Sequence, residues 1–146
     1  MLIAIFGENC SGKSTLADQI GKAAGAETVS GKDYLRMAKS ESEAELLFRK
    51  KLEGAVTGEN LVYVISEPQQ IRFLPDGAVR ILVQADLETI RERFRARRHG
   101  NLPEPVARML EAKHGIFDKE KADYRYDGVK GDAALLCAEL LRRGSS

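Results

Sequence analysis

Three apolar runs stand out along the chain, at residues 2–6 (LIAIF), 61–66 (LVYVIS) and 79–84 (VRILVQ). Each is too short for a helix, rich in branched side chains and followed by polar or turn-forming residues, so each reads as a strand. The nearly unbroken apolar character of 61–66 fits a central parallel strand covered on both faces. Two shorter segments, 27–30 (ETVS) and 123–127 (DYRYD), extend the set to five.

The stretches between them carry apolar residues at helical spacing. Leu16, Ile20, Ala23 and Ala24 define a helix over 15–24 that Gly25 stops. A short helix can start across 34–39. Ser40 and Glu43 match a capping box and open a helix with Ala44, Leu47, Phe48 and Leu52 on one face, closed at Gly54. Asp86 caps a helix with Leu87, Ile90 and Phe94 inward, and residues 100–103 (GNLP) break it. A further helix is expected from about 105 to 119, interrupted or bent near Gly115, and a closing one over 132–143 with Leu135, Leu136 and Leu140 inward. Residues 144–146 (GSS) read as a frayed tail or cloning remnant.

Alternating strands and helices call for an α/β three-layer sandwich, with a five-stranded parallel sheet and helices on both faces. In such folds ligands bind at the C-terminal ends of the strands. No repeat or linker divides the sequence, so residues 1–146 are expected to form one domain.

The first strand runs straight into Gly7-Glu8-Asn9-Cys10-Ser11-Gly12-Lys13-Ser14, a G-x-x-x-x-G-K-S phosphate-binding loop (Walker A) between strand and helix, the context the motif requires. The backbone of Gly7, Asn9, Cys10, Ser11 and Gly12 can turn its N–H groups toward phosphate oxygens. Lys13 can reach the β- and γ-phosphates, and the Ser14 hydroxyl can hold Mg²⁺. Thr15 continues into the helix, whose positive end faces the same phosphates. ATP and Mg²⁺ are therefore the expected cofactors, with a nucleotide and a small-molecule acceptor as partners.

Composition narrows the setting. The 146 residues carry a formal net charge of +1, which does not favour nucleic acid as the main partner. No apolar run nears the roughly 20 residues that span a bilayer, and no basic leader precedes the first strand. The two cysteines, Cys10 and Cys137, and two histidines, His99 and His114, lack zinc-site spacing. Two reduced thiols in a cytoplasmic protein are expected, although Cys10, near a helix N-terminus, is open to being a reactive thiol.

Carboxylates follow three of the strands. Asp86 is explained as a helix cap. Asp33 is either a cap on the next helix or the group that positions an acceptor hydroxyl beside the transferring phosphate. Glu67 is either a solvent-facing turn residue, a ligand to Mg²⁺-bound water or a base. Arg91, Arg93, Arg95, Arg97 and Arg98 crowd one helix, and Glu88 and Glu92 can pair with some of them. Phosphoryl transfer needs such cations, and Arg93 and Arg97, four apart, share a face.

Together these segments resemble the nucleoside monophosphate kinase branch of the P-loop kinases, which includes adenylate, shikimate and gluconate kinases. SGKDYLR is similar to the adenylate kinase segment S-T-G-D-x-L-R at Ser30, Asp33, Leu35 and Arg36. The resemblance implies that Arg36 binds an acceptor phosphate and that Asp33 lies against the acceptor hydroxyl. VQADLETIRERFRARR looks like the approach to the family's lid, here short, and implies ATP-phosphate contacts for Arg93 and Arg97. ADYRYD looks like the strand that leads to the adenine pocket.

The third strand ends in Ser66-Glu67-Pro68-Gln69-Gln70 rather than D-G-F-P-R, so Gln69, Gln70 or Arg72 are left as alternative acceptor contacts. The expected activity is transfer of the γ-phosphoryl of Mg·ATP to a nucleoside monophosphate or a hydroxylated metabolite. The competing expectation is a regulatory module that binds or slowly hydrolyses ATP or GTP without transfer. The oligomeric state is not legible in the sequence.

Overall fold

The computed structural model describes residues 1–31 and 33–144. Five parallel strands form one sheet: β1 (Leu2–Phe6), β2 (Glu27–Ser30), β3 (Leu61–Ile65), β4 (Val79–Gln84) and β5 (Tyr124–Asp127), in the order β2-β3-β1-β4-β5. The helices are α1 (Lys13–Ala24), α2 (Glu41–Thr57), α3 (Leu87–Arg97), α4 (Glu104–Lys113) and α5 (Ala133–Gly144). Two 3₁₀ segments, Asp33–Arg36 and Pro68–Phe73, follow β2 and β3. No helix among the described residues is long and apolar enough to cross a membrane.

The period-two alternation of a strand explains the three layers. In β1 every residue is buried. Leu2, Ala4 and Phe6 enter one core with Ala44, Phe48 and Leu52 of α2, whereas Ile3 and Ile5 enter another with Leu16 and Ile20 of α1 and Leu136 and Leu140 of α5. A third, smaller cluster joins Cys10 to Ile90 of α3 and Leu110 of α4. It brings α3 and α4 against the loop at the C-terminal end of β1.

Several boundaries differ from the sequence expectation. Helix α2 continues through Gly54 to Thr57, because tertiary packing of Ala55 outweighs glycine's poor helix propensity. Its buried stripe is Ala44, Phe48, Leu52 and Ala55, and Leu47 lies outside at 38% exposure. On α5, Leu135 likewise faces out while Leu136 and Leu140 are buried. Helix α4 stops at Lys113, an interruption rather than a bend, since His114 turns to an extended ψ of 127° and Gly115 follows at a left-handed φ of 81°. The capping roles of Ser40 and Asp86 are as expected, with side chains accepting from the Glu43 and Thr89 amides, and Asp132 accepts from the Leu135 amide in the same way. Lys32 lies outside the described residues, as do Ser145 and Ser146 of the expected tail.

Candidate phosphate-binding site

At its C-terminal end β1 gives way to the glycine-rich loop, which returns to start α1. The topology makes this the crevice of the sheet, because β1 has β3 on one side and β4 on the other. Gly12, at φ 105°, forms the left-handed N-cap of α1 and has no side chain with which to cap it. The helix's first bond runs from Leu16 N–H to Gly12 C=O at 3.1 Å. The Lys13, Ser14 and Thr15 amides therefore have no carbonyl partner within the helix. Ser11 is fully buried, and its Oγ has no hydrogen-bond partner among the described residues. Orphaned donors around a buried hydroxyl are what an anion-binding turn presents.

Lys13 is 5% exposed, and its Nζ rests on the Glu8 carbonyl at 3.2 Å. Burial pushes its ammonium below the ordinary 10.5, and the charge of Arg97 acts the same way, while Glu67 and Glu8 act against it. Ser14 and Thr15 lie exposed on the first turn of α1, Asn9 is exposed at the loop crest, and Gly7 is buried.

Cys10 occupies the left-handed region at φ 64°, a conformation that normally selects glycine. Its thiol is buried against Ile90 and Leu110. Cys10→Ala removes that packing but keeps a β-carbon in the left-handed region, whereas Cys10→Gly removes the packing and the conflict together. The glycine variant is therefore expected to be the more stable of the two, by about 1 kcal/mol, the reverse of the usual order. Urea denaturation of the pair checks this.

An open cavity of about 440 Å³ adjoins the loop, within the ordinary range for ligand sites. Gly12, Thr15, Arg93, Arg97, Tyr126 and Gly128 contribute to its wall. The arginines of α3 divide. Arg91 pairs with Glu111, Arg95 with Glu92, and Arg98 stacks over Phe94. Arg97 faces the cavity. Arg93, also on the wall, turns its guanidinium onto backbone, donating to the Cys10 carbonyl at 3.1 Å and the Gly128 carbonyl at 2.8 Å. It thus braces the loop against the segment after β5.

The remaining sequence candidates disperse. Glu67 shares a narrow crevice with Glu8 and Asn9 of the loop and with Ser66, Met109 and Lys113; its Oε1 lies 3.7 Å from Lys113 Nζ. Asp33 does not cap the segment that follows it; its carboxylate accepts the preceding Ser30 N–H at 2.6 Å. Asp33 and Arg36 line a separate groove along the β2 edge, to which no loop residue contributes. Arg72 lies 3.7 Å from Glu45 and stacks on Phe73. Of the alternatives at the end of β3, Gln70 has a defined place: its Oε1 accepts the Ser66 and Glu67 amides, closing the strand end.

Sequence reasoning missed Gly128 and Glu8 as parts of the site. A β-carbon on Gly128 would stand 1.8 Å from the Ser11 carbonyl oxygen. Its signal was the Asp127-Gly128 turn just beyond β5.

No family model matches the chain, and no curated protein matches its sequence. Solved structures do. The shikimate kinase of Acinetobacter baumannii in complex with shikimate is 18% identical at a TM-score of 0.63, over 97% of this chain and 91% of its own. A gluconokinase from Sinorhizobium meliloti 1021 is 17% identical at 0.60, over 98% and 90%. The deoxyadenosine kinase of M. mycoides with bound dATP is 16% identical at 0.55, over the whole of both chains. The chain has the P-loop kinase fold. The loop after β1 joins a strand to a helix, the position in which the sequence motif was expected.

Proposed function

We propose that the protein is a small-molecule kinase that transfers the γ-phosphoryl of Mg·ATP to a hydroxylated acceptor. The observation that carries this reading is the buried Lys13 at the foot of α1, held beside unpaired amides and an adjoining cavity with Arg97 on its wall. The kinase names of the structural neighbours support the same reaction class.

The loop amides and Lys13 bind the phosphates, and Arg97 adds a second cation as charge shifts onto the transferring group. The residues fit a magnesium-bound nucleotide: the Ser14 hydroxyl is exposed at the helix start and Glu67 stands across the crevice from the loop. When bound with the nucleotide, Mg²⁺ offsets charge on the β- and γ-phosphate oxygens. Glu67 is also the carboxylate best placed to orient an acceptor hydroxyl, since Asp33 lies in the β2-edge groove.

A hydroxylated acceptor is favoured over a nucleoside monophosphate. The cations assigned to an acceptor phosphate are elsewhere: Arg36 is in the β2-edge groove and Arg72 is engaged by Glu45 and Phe73. The crevice beside the loop holds two carboxylates, Glu8 and Glu67, against one cation, Lys113.

A regulatory module that binds nucleotide without transfer is the second reading. What favours it is the end of β3, which Gln70 closes. ADP release from Mg·ATP, measured across a panel of sugars, polyols, shikimate-like acids and nucleoside monophosphates, decides between them. Acceptor-dependent release with a hydroxylated compound is the expected result. Nucleotide binding without acceptor-dependent release would favour the module.

A further inference from the structure

The phosphate loop is tied to α4 at a residue to which the kinase resemblance gives no role. The Glu8 side chain is only 13% exposed, and both of its carboxylate oxygens are engaged. Oε1 lies 3.0 Å from His114 Nδ1, and Oε2 accepts the Gly115 N–H at 3.1 Å. The carbonyl of the same residue accepts from Lys13 Nζ at 3.2 Å. The neighbouring Lys113 faces Glu67 at 3.7 Å, so three consecutive residues at the end of α4 meet both walls of the crevice.

We propose that Glu8 is a positioning residue for Lys13, held in place by His114 and Gly115. The inference rests on the nucleotide-binding reading above. A carboxylate fixed at two atoms fixes its own peptide, and that peptide sets where the Lys13 ammonium waits. The loop then meets a phosphate already ordered, and the ordering cost does not fall on binding. Without the tether, peptide 8 is free to turn, the Lys13 rest is lost, and nucleotide affinity falls. His114, extended at φ −63° and ψ 127°, ends α4 and turns the following N–H, that of Gly115, toward Glu8.

The test compares the wild type with Glu8→Ala, His114→Ala and His114→Asn. Mg·ADP binding is followed by calorimetry, and hydrogen exchange at the Gly115 amide by NMR. His114 is exposed, so its variants are expected to fold. Both alanine variants should bind Mg·ADP about tenfold more weakly, with faster exchange at Gly115. Asparagine can present a neutral N–H donor where Nδ1 stood, so His114→Asn should stay within about twofold of the wild type.

A merely structural tether would lower thermal stability in His114→Ala and leave Mg·ADP affinity untouched; that result overturns the proposal. Equal weakening in His114→Asn and His114→Ala would also overturn it. A wild-type protein that does not bind Mg·ADP would remove the proposed function, and the positioning role with it, before any variant is compared.

Discussion

Lys13→Met is expected to lower nucleotide affinity and any acceptor-dependent turnover by roughly 100-fold or more, without loss of thermal stability. The two halves of this expectation have the same cause. Lys13 is 5% exposed and sits among the loop amides, so its charge acts on a bound phosphate with little solvent screening. Before a phosphate arrives, the same burial disfavours the ammonium, which donates to the Glu8 carbonyl. Methionine matches the stem and removes the desolvation cost, so the empty protein should hold its Tm or gain slightly. The pH dependence follows. Between the lowered folded value and the ordinary 10.5 the unfolded chain binds more protons at this position, so wild-type stability rises with pH there. Lys13→Met should flatten that rise. Calorimetry with Mg·ADP and thermal melts across alkaline pH read both halves.

Gly128→Ala should be the most damaging small substitution in the chain. The added β-carbon would stand 1.8 Å from the Ser11 carbonyl oxygen and 3.2 Å from that of Gln84. Neither neighbour is the end of a flexible side chain; both are backbone. Gly128 also donates its N–H to the Gln84 carbonyl at 2.7 Å and accepts from Arg93 at 2.8 Å. The segment after β5 must therefore move away from the loop, and the wall of the adjoining cavity moves with it. Forced repacking of this kind costs about 1–3 kcal/mol, which lowers Tm by several degrees, and Mg·ADP affinity should fall as well. Gly54→Ala is the control: nothing lies within 4 Å of its β-carbon and it sits inside α2, so a gain of about 0.5–1 kcal/mol is expected.

The sheet and the loop were legible in the sequence because their signals are local. LIAIF can be little but a buried strand, and G-x-x-x-x-G-K-S between a strand and a helix states its own chemistry. The helical stripes were legible as stripes but not to the residue. Leu47 and Phe48 are adjacent and equally apolar, and only the position of the sheet decides that Phe48 goes in. The site was less legible where it depends on distant backbone. Arg93 was expected to be a cation near the phosphates, whereas its guanidinium meets the Cys10 and Gly128 carbonyls, an arrangement no spacing rule encodes. Glu8 and His114 are 106 residues apart, and nothing in their local sequence links them. Asp33 was chosen for its place after a strand and Arg36 through a motif likeness, and the groove they share lies along the sheet edge.

The central place of β1 bears on how the chain folds during synthesis. Leu2 pairs with Leu61 and Ile3 with Val79, so β1 leaves the ribosome well before its partners and waits for them. Until β4 emerges, one side of β1 keeps a row of unsatisfied amides and carbonyls beside fully apolar side chains. Pairing at such separation makes folding slow relative to a chain of local contacts. It also makes a nascent or truncated chain ending before residue 79 a template for sticking to another copy of itself.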